Sequence, residues 1–231
     1  MKFPEVEHSL QILESQVDSI YELQRDWWMA SDGAICGACE FFVPALAKRT
    51  NAFIDGFAKM LRDDNHYAAT LFIRPTLEHV LIAIASDEYE GGHHEFAQRI
   101  IFGDRIRELK SVSGRRMYEN YLVKRLQARL DKTRPDLNVI GLYNWSNSFV
   151  HFGAQQVYSL VDSVTEPESG YSGRIGFLLR APTYEIPHAT SKNVSDWIDC
   201  MLGIAVMMGS CLEGMIEVRQ NWLCQIDTPN S

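Results

Sequence analysis

Two stretches of the sequence carry polar side chains at helical spacing inside apolar surroundings. In the first, Arg74 and Glu78 stand four residues apart between the apolar runs 69–73 and 80–84, so the two share one helix face. A charged pair on so apolar a helix is expected to be partly buried and to need partners. Pro75 removes a backbone donor and predicts a kink beside the pair.

The second stretch, 143–153, gathers amide, hydroxyl and imidazole groups. Asn144, Ser148 and His151 lie at i, i+4 and i+7 and share one face, and Asn147 stands four before His151. His151 falls in the last predicted turn, where the helix dipole favours imidazolium, a form that donates a proton or holds a phosphate oxygen. The predicted site has two groups: catalytic Arg74, Glu78, Asn147 and His151, and ligand-binding Tyr143, Asn144 and Ser148 together with Arg115 and Arg116 from the basic stretch 99–134.

The pattern of these two stretches resembles uncharacterised bacterial helical families. It consists of Arg-x-x-x-Glu at 74–78, then Tyr-x-x-x-Asn-x-x-x-His at 143–151, followed by the small residue Gly153. Such families are similar to the HEPN superfamily of helical bundles, many of whose members are metal-independent ribonucleases of toxin–antitoxin and phage-defence systems. The resemblance covers about 40–220 and implies a helical protein that acts on RNA.

The resemblance also implies a role for each polar residue. The HEPN ribonuclease signature is Arg-x4–6-His on one helix, but this chain has Ser146 five residues before His151. Arg74 would therefore supply the guanidinium from the other helix and stabilise charge on the phosphate. His151 would act as general acid or base, and Glu78 would orient Arg74.

Two other interpretations use the same residues. In one, the cluster is a satisfied polar network that fixes the register of the helices, and the protein is a non-catalytic dimeric interaction module. In the other, the cluster binds a small ligand or a partner. Salt-sensitive RNA binding would distinguish the ribonuclease from the interaction module, because phosphate contacts weaken steeply as salt rises.

Charge is unevenly distributed along a chain whose formal net charge is −8. The stretch 99–134 contains eleven basic and four acidic residues. A basic face on an acidic protein can bind a polyanion, so this stretch is a candidate RNA surface. The alternative is that it packs against the acidic residues of the protein itself or is solvated.

Length and apolar periodicity predict the architecture. The 231 residues suit one domain, 1–231, and apolar residues at three-to-four spacing predict a mainly α bundle of six or seven helices. An N-terminal helix is expected at 5–30 and a long basic helix at about 104–131. The β-branched composition of 154–182 predicts a β-hairpin inserted before the C-terminal helix. That last helix, 192–223, is apolar nearly all round, which indicates a central helix or the seam of a homodimer.

Several classes of protein lack their usual signals here. No P-loop, GxGxxG, HExxH or GxSxG pattern occurs, so neither a cofactor nor a metal is expected. The five cysteines are an odd number and no signal peptide is apparent, which predicts reduced thiols and a cytoplasmic protein. No continuous apolar run approaches the length of a membrane span, so no membrane association is expected.

Overall fold

The computed structural model describes residues 3–29, 37–150, 161–165, 176–179 and 190–226, with side chains described for 3–29, 37–147 and 190–220. Its described elements are mainly helices, which confirms the predicted helical bundle. The seven α-helices are α1 (Glu7–Met29), α2 (Ala38–Arg62), α3 (His66–Glu88), α4 (Gly92–Ile101), α5 (Glu119–Thr133), α6 (Val139–Val150) and α7 (Ser191–Ile226). Two short 3-10 helices, Pro4–Val6 and Ile106–Glu108, precede α1 and α5.

Helix α3 occupies the interior and contacts α2, α4, α5, α6 and α7. Its N-terminus is fixed by Asn65, whose Oδ1 accepts the backbone N–H of Ala68 at 3.1 Å, as a polar N-cap does. Pro75 lies within the helix without ending it. Because α3 lies in the interior, its buried charged residues, Arg74 and Glu88, need partners supplied by neighbouring helices.

Helix α7 packs against α1, α2 and α3 and buries an apolar face rich in methionine and isoleucine. Helix α1 is tied to α2 by Arg62, whose Nη1 lies 2.6 Å from Glu14 Oε1 and whose Nη2 lies 2.8 Å from Glu7 Oε1. The N-terminal helix, expected at 5–30, is described over Glu7–Met29 and begins two residues later than predicted. Whether α7 also meets a second copy of the chain stays a prediction.

The predicted β-hairpin at 154–182 is wrong as a component of the bundle, because the described core is built by residues of the helices, with Tyr89, Leu109 and Met117 added from the connections between them. Within that range the description is limited to two short extended backbone segments, β1 (Val161–Thr165) and β2 (Gly176–Leu179). They pair only with each other, with an irregular register at Val161 and Ser163. A two-stranded ribbon is marginally stable by itself, and β-branched composition alone does not give it a place in a core.

The predicted helix at about 104–131 is also wrong in its first half. Residues 102–118, hereafter the basic loop, are non-helical apart from Ile106–Glu108. Gly103 and Gly114 adopt φ of 98° and 74°, a left-handed conformation that suits glycine and interrupts a helix. Backbone bridges then hold the loop in place: Ser111 pairs with Tyr89, and Lys110 with Arg116.

Two helices are long and apolar enough to span a membrane by length and composition, His66–Glu88 and the Ser191–Gln220 part of α7. Neither helix is a continuous apolar run, because a window average tolerates the few polar residues that interrupt it, so the expectation of no membrane association stays a prediction. The window in α3 is mostly buried inside the bundle. Core helices of soluble proteins pass the same test, so the finding is weak evidence for a membrane.

Candidate functional site

Arg74 is an almost fully buried cation, with 3% of its side chain exposed. Its Nε lies 3.0 Å from Glu78 Oε1, one helical turn further along α3. Its Nη2 lies 2.7 Å from Glu119 Oε2, in the first turn of α5. The guanidinium therefore joins two helices through two separate carboxylates.

Tyr143 of α6 completes this arrangement. The Arg74 Cζ atom lies 3.9 Å from the centroid of the Tyr143 ring, within the range of a cation–π contact. The Tyr143 hydroxyl donates to Glu119 Oε2 at 2.6 Å. The structure thus brings together Arg74, Glu78 and Tyr143, three of the predicted site residues.

Glu119 is the member of this group that the sequence analysis missed. It is one of only four acidic residues in the stretch 99–134, and an acid in the first turn of a helix is favoured there by the helix dipole. That isolated negative charge within a basic stretch was the available signal. We refer to Arg74, Glu78, Glu119 and Tyr143 as the Arg74 cluster.

A cavity of about 580 Å³ opens beside the Arg74 cluster, and we name it the Glu119 cavity. Glu78 and Glu119 face it with 44% and 57% of their side chains exposed, whereas Arg74 is not among its lining residues. The basic loop contributes the other wall. The residues lining the cavity include Glu78, Glu119, Tyr118, Tyr143, Arg105 and Arg107.

The remaining predicted residues of α6 do not join the cluster in the described part of the chain. Asn144 is exposed, and Asn147 is half-buried with an Oδ1 atom that has no hydrogen-bond partner among the described residues. The side chain of Ser148 and the whole of His151 lie outside the described residues. The proposed histidine chemistry therefore stays a prediction.

Arg115 and Arg116 are exposed in the basic loop rather than on a helix. The loop is held to the end of α3 by the backbone N–H of Val112, which donates to the Glu88 carbonyl at 2.8 Å. The Ser111 N–H donates to the Arg115 carbonyl at 2.8 Å. Its basic side chains are thus presented on an ordered backbone.

The basic residues of α5 have a different environment. Arg125 binds Glu88 through Nε and Nη2, both at 2.9 Å, and Arg129 Nη2 reaches the same carboxylate at 2.9 Å. Burial raises the pKa of Glu88, but the hydrogen bonds from Arg125 and Arg129 outweigh it and the pKa is lowered overall. This part of the basic stretch packs against the acidic residues of the protein itself, as one of the two interpretations predicted.

Comparison with known proteins does not assign a family. Family models, curated proteins and solved structures gave no significant match. The resemblance to the HEPN superfamily thus stays a hypothesis from the sequence. Among the described residues, no group of three or more histidine, cysteine, aspartate or glutamate side chains is placed to hold a metal ion.

Proposed function

We propose that this protein binds single-stranded RNA between the basic loop and the Glu119 cavity, without using Arg74 for catalysis. The proposal rests on a difference between two groups of basic residues in the stretch 99–134. Arg125 and Arg129 are engaged with Glu88, whereas five basic residues of the loop are exposed and form no ion pair with any residue the structure describes. These five are Arg105, Arg107, Lys110, Arg115 and Arg116.

Local charge favours a polyanion at this surface. The basic loop contains five basic residues and two acidic ones, Asp104, which is paired with Arg99, and Glu108, so it is basic although the whole chain carries −8. Phosphates attract exposed lysine and arginine regardless of sequence. The acidic remainder of the protein repels them, which favours the loop as the binding surface.

The Glu119 cavity suits an unstacked base. Tyr118 is half-exposed at its wall, and aromatic rings are the usual stacking platforms for bases of single strands. The carboxylates of Glu78 and Glu119 accept hydrogen bonds from exocyclic amines of a base. Arg105 and Arg107 of the basic loop line the same cavity, where they can contact the phosphates next to the bound base.

The contacts of Arg74 support binding rather than cleavage. Two carboxylates already balance its charge, and almost none of its surface is exposed, so it is not free to meet a developing charge on phosphate.

The proposal also includes three expectations from the sequence: a HEPN-like ancestry, a cytoplasmic location and a homodimer. Light scattering coupled to size exclusion measures the oligomeric state directly.

The test is fluorescence anisotropy with a labelled single-stranded RNA of about 12 nucleotides. The loop variant is Arg105→Gln/Arg107→Gln, and its matched control is Lys124→Gln/Lys132→Gln, which removes two exposed basic residues of α5 outside the loop. We expect the loop variant to weaken binding about tenfold, and to flatten the slope of log K against log salt by about 1.4 for two lost contacts. The control should stay within about twofold of the parent, because its lysines lie outside the proposed contact.

Equal losses in the two variants would contradict a specific role for the loop. Absence of any binding at about 50 mM salt would contradict the RNA proposal altogether and favour an acidic protein partner. A DNA strand of the same sequence provides the last comparison, because only RNA carries the 2′-hydroxyl.

A further inference from the structure

A second cavity, of about 560 Å³, is lined by residues of α1, α2, α3, α4 and α7. Most of its lining is apolar, including Trp27, Val43, Met215 and Val218. Arg219 of α7 supplies the cation in this lining, and we name the space the Arg219 cavity. Its volume is within the range of sites for small organic ligands, which are mostly apolar with a few placed polar groups.

Arg219 is buried, with only 7% of its side chain exposed. Its Nη2 lies 3.0 Å from Glu40 Oε1, and its Cζ lies 4.5 Å from the centroid of the Trp27 ring. Its Nη1 is buried and forms no hydrogen bond with any of the described residues. Nη1 therefore lacks an acceptor, and a buried N–H of a charged group without an acceptor is costly.

The Arg74 cluster shows what a more fully paired arginine looks like in the same fold. Arg74 has an aromatic ring beneath it and two carboxylates, Glu78 and Glu119. Arg219 has an aromatic ring and one carboxylate, Glu40. The Nη1 of Arg74 is also unpaired among the described residues, but Arg74 lines no described cavity, whereas Arg219 does.

Glu40 is not free to provide a second contact. Its Oε2 accepts the backbone N–H of Gly37 at 2.7 Å, which fixes the carboxylate at the start of α2 as a helix cap. Only Oε1 therefore remains for Arg219. The missing acceptor has to come from another molecule or from elsewhere in the chain.

Helix geometry adds positive potential to this cavity. The first turn of α2 contributes Cys39 and Glu40 to the lining, and the first turn of α4 contributes His93 and His94. Backbone N–H groups at a helix N-terminus carry partial positive charge. Two such termini and Arg219, set against one carboxylate, favour an anion in this part of an otherwise apolar space.

We infer that the Arg219 cavity binds a small monocarboxylate with an apolar body, whose carboxylate pairs with Arg219 and whose body packs against Trp27 and Met215. A carboxylate is the anion that a guanidinium recognises with directional hydrogen bonds. The apolar lining excludes a strongly hydrated polyanion. This site is independent of the RNA surface, because the two cavities share no lining residue.

The experiment uses octanoate as the probe and 1-octanol as its uncharged match, with binding to the full chain measured by calorimetry and by thermal shift. We expect octanoate to bind at least about tenfold more tightly than octanol, because only the carboxylate forms a charge-assisted hydrogen bond with the guanidinium. Arg219→Gln should abolish that preference.

A second variant keeps the inference testable if Arg219→Gln fails to fold. Val218→Trp changes a half-exposed lining residue and should obstruct the cavity while leaving the Arg219–Glu40 pair in place. Its control is Val112→Trp, at an exposed position of the basic loop. Loss of octanoate binding in Val218→Trp alone supports the site, and equal binding of octanoate and octanol, or unchanged octanoate binding in Val218→Trp, overturns it.

Discussion

The guanidinium of Arg74 lies over the ring of Tyr143, and both side chains bind the same oxygen, Glu119 Oε2, at 2.7 and 2.6 Å. Three helices, α3, α5 and α6, therefore meet at one carboxylate oxygen. Because Glu119 is more than half exposed while Arg74 is buried, the cluster connects the interior of the bundle with the surface of the Glu119 cavity. We therefore expect the Arg74 cluster to stabilise the fold.

Replacing Arg74 should destabilise the fold. Arg74→Leu removes the ion pairs with Glu78 and Glu119 and the contact with Tyr143, and we expect the free energy of unfolding to fall by about 2–4 kcal/mol. The two glutamates stay partly solvated, which limits the loss. Urea unfolding followed by circular dichroism measures it, with the exposed Arg105→Gln as control.

Arg74→Lys should not restore the stability, since an ammonium lacks the planar fork that reaches two carboxylates and stacks on a ring. An Arg74→Leu protein as stable as the parent would mean that the cluster does not hold the helices together.

The ion pairs of Glu88 with Arg125 and Arg129 lead to a second prediction about stability. Glu88→Ala leaves Arg125 and Arg129 without their shared carboxylate, but both arginines are partly exposed and can be hydrated. We therefore expect a loss of about 1–3 kcal/mol in the free energy of unfolding, less than for a fully buried pair. Asp136→Asn, which breaks the exposed pair with Arg134, should leave the unfolding midpoint unchanged, and equal effects of the two variants would contradict the assignment.

Local signals allowed most helices to be predicted from the sequence. Helix α3 begins at His66 because Asn65, a residue type that caps helices, stands directly before it in sequence. The pair Arg74 and Glu78 was predictable for the same reason, since helical spacing alone brings them together. Contacts between residues a few positions apart can therefore be predicted from a single sequence.

Contacts between distant residues were not predictable in this way. The basic loop is not a helix because Gly103 and Gly114 adopt left-handed backbone conformations and because Ser111 and Val112 are bonded to the end of α3. The partners of Arg125 and Glu119 lie on other helices. Nothing in the local pattern distinguishes a basic residue that binds Glu88 from one that stays exposed in the loop.

Cys39 should react slowly with alkylating reagents in the folded protein. Burial, and then the nearby charge of Glu40, raise its pKa to about 11 although Arg219 opposes the shift. Because the thiolate is the reactive form, iodoacetamide at neutral pH should modify Cys39 about a hundredfold more slowly than the same cysteine in the urea-unfolded chain. Peptide mass mapping measures both rates, and equal rates would show that Cys39 is accessible and ionised.

His79 makes the stability of the fold depend on pH. Burial, and then the charge of Arg49, lower its pKa from 6.5 to about 4. Its Nδ1 lies 3.1 Å from Thr50 Oγ1, which itself donates to the Leu46 carbonyl, so the neutral ring donates to Thr50 through Nδ1–H.

The sign of the effect follows from proton uptake. Between pH 6.5 and about 4 the unfolded chain protonates His79 and the folded chain does not, so acid favours unfolding in this window. The His79 contribution is complete above pH 6.5 and is lost as the pH falls towards about 4, amounting to about 3 kcal/mol. In His79→Gln this part of the pH dependence should be absent, whereas the exposed-site control His8→Gln should keep it. Urea unfolding at a series of pH values between 7 and 4 measures the difference, and parallel curves for the parent and His79→Gln would contradict a neutral buried imidazole.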